Sequence, residues 1–493
     1  MIGRDIIFGD QYYVHMETSN KSFLTVHYFF KSIGLQNNNF MLKLYDTDLI
    51  GVNPFDPMLT PRMKSKILYE CMRNYWYFIR EVVRVPVQGT NGVHYILHVG
   101  NTLLATLFLL DFSQYVEWPR QHYKTWSTLA WYLWLYNFNS TNSDIALFGK
   151  DFSASKDNLK KLKDLRDSLP EYLQMSTTVG MDGKKLKVPN TVQTIQNPFN
   201  HNRVVTYASA RSKEAADKMG RGSTIPNIYY DEFAFLPYNQ IVYLAAMPAH
   251  SRAAKNAKEN NCHYAQTITT TPGDLATEEG QYSYNIRNNA TKWCYQYYEL
   301  TKEQLIKLRD SNTNSQFFLN YYTYQQLGSG PEYFKRMVIE AQRNYTVIRR
   351  EVLLEWQSAA RNCPFSAEQL DKIKDLCHEP IRTVFFGQYN QYQMQVYEEI
   401  DLRYPPIIGV DVSGALYNDS SAITVIDSRT TRVCAIMNCN YIPSDDLADV
   451  VYTLVSKYMP NSIVNVERNG DYVFFIYFKV MLVNEDIRPL LVA

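Results

Sequence analysis

Short runs in which apolar and polar residues alternate take turns, along most of the chain, with longer runs in which apolar residues recur every three or four positions. Gln114-Tyr115-Val116-Glu117 reads as a strand and Trp126 to Leu133 as an amphipathic to buried helix. Asn101 to Leu110 is apolar enough to predict a buried helix, and it ends at Asp111, too short to span a bilayer. Ser143 to Gly149 reads as a strand, and Ser153 to Leu169 as a helix with its charges outward, closed before Pro170. Val204 to Tyr207, Pro226 to Asp231 and His263 to Thr271 are further strands. This repeated strand and helix order implies growth of a parallel α/β sheet. Upstream, Arg62 to Val83 is expected as one helix rich in Tyr, Trp and Phe, and residues 1 to 55 carry no chemical signature.

The pattern restarts after Pro364, Pro380 and Pro405-Pro406. Ile407 to Asp411 is an apolar strand, Ser421 to Ile426 a returning strand, 444 to 458 a helix, and Ser462 to Glu467 another strand ending in an acid. Between the two patterned regions, Tyr298 to Lys307, Pro331 to Ala341 and Val347 to Ala360 look helical. The expected division is an N-terminal extension over 1–60, an α/β domain over 61–290, a small subdomain and linker over 291–400, and a second α/β domain over 401–493.

A chain of 493 residues, 46% hydrophobic and 20% charged, has ample material for two or three cores. Fifty Lys plus Arg against 49 Asp plus Glu leave a formal charge of +1, so any nucleic-acid contact must come from local patches. The seven cysteines are scattered without CxxC spacing, which favours free thiols in a reducing compartment and argues against a zinc site. The start, Met1-Ile2-Gly3-Arg4-Asp5, does not read as a signal peptide.

Candidate chemistry sits at the strand ends. Trp118-Pro119-Arg120-Gln121-His122-Tyr123-Lys124-Thr125 joins a strand to a helix, the context of a phosphate-binding loop. Helix-start amides would face the phosphates, Lys124 would reach the β and γ phosphates, and the Thr125 hydroxyl would ligate Mg²⁺. Asp231-Glu232 places two acids at the carboxyl edge of the sheet, Asp231 to hold Mg²⁺ through water and Glu232 to polarise an attacking water. The strand ending Thr269-Thr270-Thr271-Pro272 offers hydroxyls, those of Thr270 and Thr271 foremost, to sense a γ phosphate. In the last domain Asp411, Asp419 and Glu467 could hold two divalent ions for phosphodiester cleavage.

In this order, an Arg-Gln-x-x-Lys-Thr loop at Arg120 to Thr125, an Asp-Glu strand end at Asp231-Glu232 and a Thr-Thr-Thr-Pro motif at Thr269 to Pro272 resemble the large terminase subunit of tailed bacteriophages, a DNA-packaging motor. The resemblance implies an additional-strand P-loop ATPase domain followed by a ribonuclease-H-like nuclease domain. It makes Arg120 the arginine that stabilises the transferring phosphate in cis, with Gln121 beside it and His122 and Tyr123 in the loop. It places Asp411, Asp419 and Glu467 in the nuclease metal cluster. Implied cofactors are ATP and Mg²⁺, with Mn²⁺ possible at the nuclease site. Implied partners are double-stranded DNA, a portal protein, a small terminase subunit and further copies in a ring on the portal, with no membrane, in the host cytoplasm and docked on a procapsid.

This chain departs from that pattern twice. Tyr123 stands where the family usually has Gly, and only 26 residues follow Glu467, with Asp486 too near to serve as the family's later carboxylate. The nuclease domain is therefore expected to be incomplete at its C-terminal end. Rival readings are another nucleic-acid-dependent P-loop enzyme, such as a helicase or defence nuclease, and a catalytically degenerate DNA- and portal-binding scaffold.

Overall fold

A computed structural model describes residues 11–90, 92–176, 183–184, 188–219, 224–357, 369, 372–373, 377–413, 420–467, 472–484 and 490–492. The chain forms two compact units, residues 1–363 and 364–493.

In the first unit two short antiparallel pairs, β1 (Tyr13–Val14) with β2 (Lys43–Leu44) and β3 (Arg84–Val85) with β4 (Val93–His94), precede the main sheet. That sheet is built from β5 (Ser113–Glu117), β6 (Asp144–Phe148), β7 (Thr194–Gln196), β8 (Arg203–Tyr207), β9 (Asn227–Asp231), β10 (Ala265–Thr270), β11 (Thr291–Lys292) and β12 (Phe317–Tyr321). Its order is β11-β12-β5-β10-β9-β6-β8-β7, with every neighbouring pair parallel except β7 with β8. β9 and β10 are buried at every position, as expected of parallel strands covered on both faces. The insertion of β10 between β5 and β9 is the additional-strand arrangement. The sheet takes β11 and β12 from beyond residue 290, inside the segment expected as subdomain and linker.

The helix Val99–Leu109 is buried along its whole length and starts at a reciprocal cap between His98 and Asn101. A Cβ on Gly100 would lie 2.8 Å from both Trp118 and Leu327, so the close approach of Trp118 to this helix requires glycine. The helix expected over Arg62 to Val83 is two: Pro61–Arg73 ends at Asn74, whose extended backbone and side-chain bond to the Tyr77 amide start a second turn. Asparagine competes for local backbone groups, and the apolar pattern alone did not register this. Residues 21–32, within the stretch that carried no signature, form a helix that buries Phe23, Val26, His27 and Phe30. The helix expected over Val347 to Ala360 is capped by Asn344, spans Tyr345–Glu351 and stops there; residues 358–360 lie outside the described residues.

The second unit has β13 (Arg382–Phe386), β14 (Tyr392–Val396), β15 (Ile407–Asp411), β16 (Ser421–Ile426), β17 (Val433–Cys439), β18 (Ile463–Val466) and β19 (Leu490–Val492), in the order β13-β14-β17-β16-β15-β18-β19. Strands β13 to β17 pair antiparallel, and β15, β18 and β19 run parallel. The run β17-β16-β15-β18-β19 is the mixed sheet of a ribonuclease-H-like fold, extended by the β13–β14 hairpin from the segment expected as linker. Strands β14 and β16 alternate buried and more exposed positions, which fits one face packed on Leu447, Val451, Phe474 and Phe478. Among the described residues no helix is long and apolar enough to cross a membrane.

Trp131, in the helix after the loop, stacks on Phe108 at 4.9 Å and meets Tyr75, Trp134 and His263 edge-on or tilted at 5.0–5.1 Å. Trp131→Ala is expected to lower the unfolding free energy of the first unit by about 4 kcal/mol, read from urea denaturation.

Candidate functional site: strand tips of both units

The loop after β5 closes on the helix Lys124–Trp134 through two residues with left-handed backbone, Gln121 at φ +65° and Tyr123 at φ +61°. Neither is glycine, and such a conformation costs an ordinary residue about 1–2 kcal/mol. Tyr123 thus adopts the conformation that glycine would adopt freely, with a half-buried side chain. The strain is offset by bracing. The Arg120 amide donates to the Glu351 carbonyl at 3.1 Å, and the Arg120 carbonyl accepts from the Tyr333 hydroxyl at 2.9 Å. His122 bonds that same carbonyl through Nδ1 and the Ser329 hydroxyl through Nε2, both at 2.9 Å. Burial lowers the pKa of His122 and holds His98, 3.3 Å from the His122 carbonyl, at about 3, so both rings are neutral.

Lys124 is buried. Its ammonium donates to the carbonyl of Trp118 at 2.6 Å and to that of Thr270 at 3.0 Å, leaving one of its three protons for another acceptor. Burial lowers its pKa, and Glu232, Asp231, Glu351 and Glu117 act in the opposite direction. Register puts Glu117 opposite Thr270 and Thr269 opposite Asp231, so the ends of β5, β10 and β9 are level. Glu232 follows with a left-handed turn at φ +52°. Its carboxyl is raised by burial, with Asp231 and Glu351 adding and Lys124 and Arg120 opposing. Asp231 accepts from Asn158, Tyr229 and Thr269.

The remaining expected residues point elsewhere than the motif alone suggests. The Arg120 guanidinium, more than half exposed, pairs with the buried Glu351 carboxylate at 2.6 Å, and Gln121 accepts from Arg336 at 3.1 Å. The Thr270 hydroxyl bonds backbone, accepting from the Ala234 amide at 3.2 Å and donating to the Thr271 carbonyl at 2.8 Å. Thr271 is fully buried, and Thr269 is the threonine that touches Asp231. Glu351, Arg350, Tyr333, Tyr229 and Asn158 were not singled out from the sequence. The first three lie more than 200 residues from the loop, and a Glu after two Arg in a short helix carries no distinctive pattern.

These residues fit a nucleoside triphosphate with its metal. A cation with a free proton, the start of an eleven-residue helix, and an aspartate held by neutral donors meet at one sheet edge.

In the second unit Asp411 ends β15 and Glu467 follows β18, its parallel neighbour; the Glu467 amide donates to the Val410 carbonyl at 2.8 Å. Both side chains are exposed, and a hydrogen bond and like-charge contact with Asp411 raise the Glu467 carboxyl. A divalent cation would relieve that contact, so the pair fits a metal. Asp419 and Asp486 lie outside the described residues, and among the described residues no group of three His, Cys, Asp or Glu could hold a metal ion.

No protein-family model matches the chain, and no curated protein matches it. Solved structures similar to it include the large terminase of bacteriophage HK97, 11% identical, with 84% of this chain and 83% of that one covered and a TM-score of 0.38. The large terminase ATPase domain of Thermus phage P74-26 is 14% identical over 53% of this chain and 94% of that one, with a TM-score of 0.32. The large terminase nuclease from thermophilic phage G20c with bound magnesium is 17% identical over 23% of this chain and 55% of that one, with a TM-score of 0.18. Scores this low leave function to be argued from the residues themselves.

A carboxyl raised in the folded state carries no penalty while protonated and weakens folding as pH rises through its unfolded value, about 4.3. Glu467→Gln is therefore expected to raise the melting temperature of the second unit at neutral pH in EDTA, with the gain vanishing below that value. Mg²⁺ is expected to stabilise wild type and not the variant; equal melting temperatures at all pH values would separate the two carboxylates.

Proposed function

We propose that the chain is an ATP-driven motor that moves double-stranded viral DNA into a procapsid and cuts concatemeric DNA with a metal-dependent nuclease. The observation that carries this reading is the convergence of Lys124, Asp231 and Glu232 at the level tips of β5, β10 and β9. In P-loop enzymes hydrolysis needs a cation on the phosphates, a metal-holding acid and an acid to orient water, and these three residues supply them. The ordered motifs Arg120 to Thr125, Asp231-Glu232 and Thr269 to Pro272 favour a packaging motor over a helicase.

In this mechanism Lys124 stays charged and donates a hydrogen bond through its remaining N–H to a phosphate oxygen. Glu232 accepts the proton of the attacking water, with Lys124 and Arg120 stabilising its ionised form. Thr125 and Asp231 would hold Mg²⁺, which would supply charge neutralisation on the phosphate oxygens. Arg120 must leave Glu351 to reach a phosphate; Arg350, 2.9 Å from the other carboxylate oxygen, keeps that buried charge paired when it does. Thr270 lies one strand from the loop and carries the state of the site into the turn after Glu232 through its bond to Ala234. Contact with DNA is dominated by backbone charge, since a translocating motor cannot depend on sequence.

In the second unit Asp411 and Glu467, together with Asp419, would hold Mg²⁺ or Mn²⁺ for phosphodiester cleavage. The working assembly is a homo-oligomeric ring on a portal protein, with a small terminase subunit as partner, in the host cytoplasm.

Purified chain with DNA and portal is expected to hydrolyse ATP, and Lys124→Ala and Glu232→Gln each to reduce the rate by about a hundredfold or more. Asp411→Asn is expected to abolish Mg²⁺-dependent DNA cutting without changing ATP hydrolysis. Folded wild type that hydrolyses no ATP would favour the non-catalytic scaffold, with Tyr123 the first residue to restore to Gly.

A further inference from the structure

Asp231 is held on both oxygens. Its Oδ1 accepts the Tyr229 phenol at 2.7 Å and the Thr269 hydroxyl at 2.8 Å, and its Oδ2 accepts the Asn158 amide at 2.8 Å. The donors come from three elements: Tyr229 from β9 itself, Thr269 from β10, and Asn158 from the helix Phe152–Asp167. Tyr229 and Thr269 are wholly buried and Asn158 is 2% exposed, so water does not compete for these bonds.

Lone-pair bookkeeping gives the arrangement a direction. The Tyr229 phenol and the Thr269 hydroxyl, 3.0 Å from each other, both reach Oδ1 of Asp231. Of about four lone-pair sites on the Asp231 carboxylate, three are filled and one remains, on Oδ2.

We propose that Tyr229 and Asn158 are positioning residues for the divalent ion of a bound nucleotide: together with Thr269 they fix Asp231 and leave it a single monodentate contact. This rests on the phosphate-loop reading above. A carboxylate with one lone pair to offer suits Mg²⁺, which keeps several waters, better than Ca²⁺, which takes bidentate carboxylates. Orientation by such outer partners also fixes the ligand's direction before the ion arrives.

The test is binding of the fluorescent nucleotide mant-ADP to the full chain in Mg²⁺ and in EDTA. Wild type is compared with Tyr229→Phe, which keeps the ring and deletes one oxygen, and with Asn158→Ala, which carries the test if the first variant misfolds. Affinity in EDTA is expected to stay within about twofold of wild type, while the gain in affinity on adding Mg²⁺ shrinks about tenfold. A merely structural role would lower both affinities together. Equal losses in the two conditions, or an unchanged Mg²⁺ gain in both variants, overturn the proposal. Wild type that binds mant-ADP in neither condition overturns the phosphate-loop reading, and this proposal with it.

Discussion

The ammonium of Lys124 ties the end of β5, the end of β10 and the start of the helix Lys124–Trp134 into one unit, through bonds of 2.6 and 3.0 Å to the Trp118 and Thr270 carbonyls. A cation this deep is tolerated only when its protons and its charge are both answered. The two carbonyls answer two of its three protons, and Glu232, Asp231, Glu351 and Glu117 answer the charge. Each of those carboxylates is costly to bury in turn. Glu117 is wholly buried and is raised by burial, with Arg287 at 2.5 Å and Trp356 at 3.2 Å holding its two oxygens. The site is a set of buried charges that compensate one another, with Glu351 answered by both Arg120 and Arg350.

That balance accounts for the strained loop. Gln121 and Tyr123 stay left-handed because the residues between and around them are fixed: the backbone of Arg120 by Glu351 and Tyr333, the ring of His122 by Arg120 and Ser329. Strain of this kind persists where neighbouring contacts over-determine the backbone. The braces come from residues 329–351, so the chain that follows β12 closes the loop from outside the motif. Gln357 extends the contact, bonding the Leu275 amide at 2.9 Å just past the Thr269 to Pro272 motif.

Both units place acids where parallel strands end, at the carboxyl edge where chain direction changes and side chains converge. Their surroundings differ. Asp231 and Lys124 are buried and hydrogen-bonded on several sides, whereas Asp411 and Glu467 meet in the open. The first site is organised by protein donors before any ligand binds, and the second keeps a like-charge contact that only a proton or a cation relieves.

Periodicity was enough to locate most strands and helices of both sheets, because parallel strands buried on two faces and helices buried on one leave different spacings in the sequence. The motifs, too, were legible: Lys124, Asp231, Glu232 and Thr269 to Pro272 lie at strand ends, and strand ends can be read from where an apolar run stops. The break at Asn74 and the membership of β11 and β12 in the first sheet were not legible, since the first depends on a cap and the second on partner strands far away in sequence. Nor were the partners of the site: Glu351 on Arg120, Ser329 on His122, and Asn158 and Tyr229 on Asp231. Residue type and local spacing fix what a side chain is able to do. Which neighbour satisfies its charge or its lone pairs is decided by long-range contacts that only the closed sheet and its covering helices bring together.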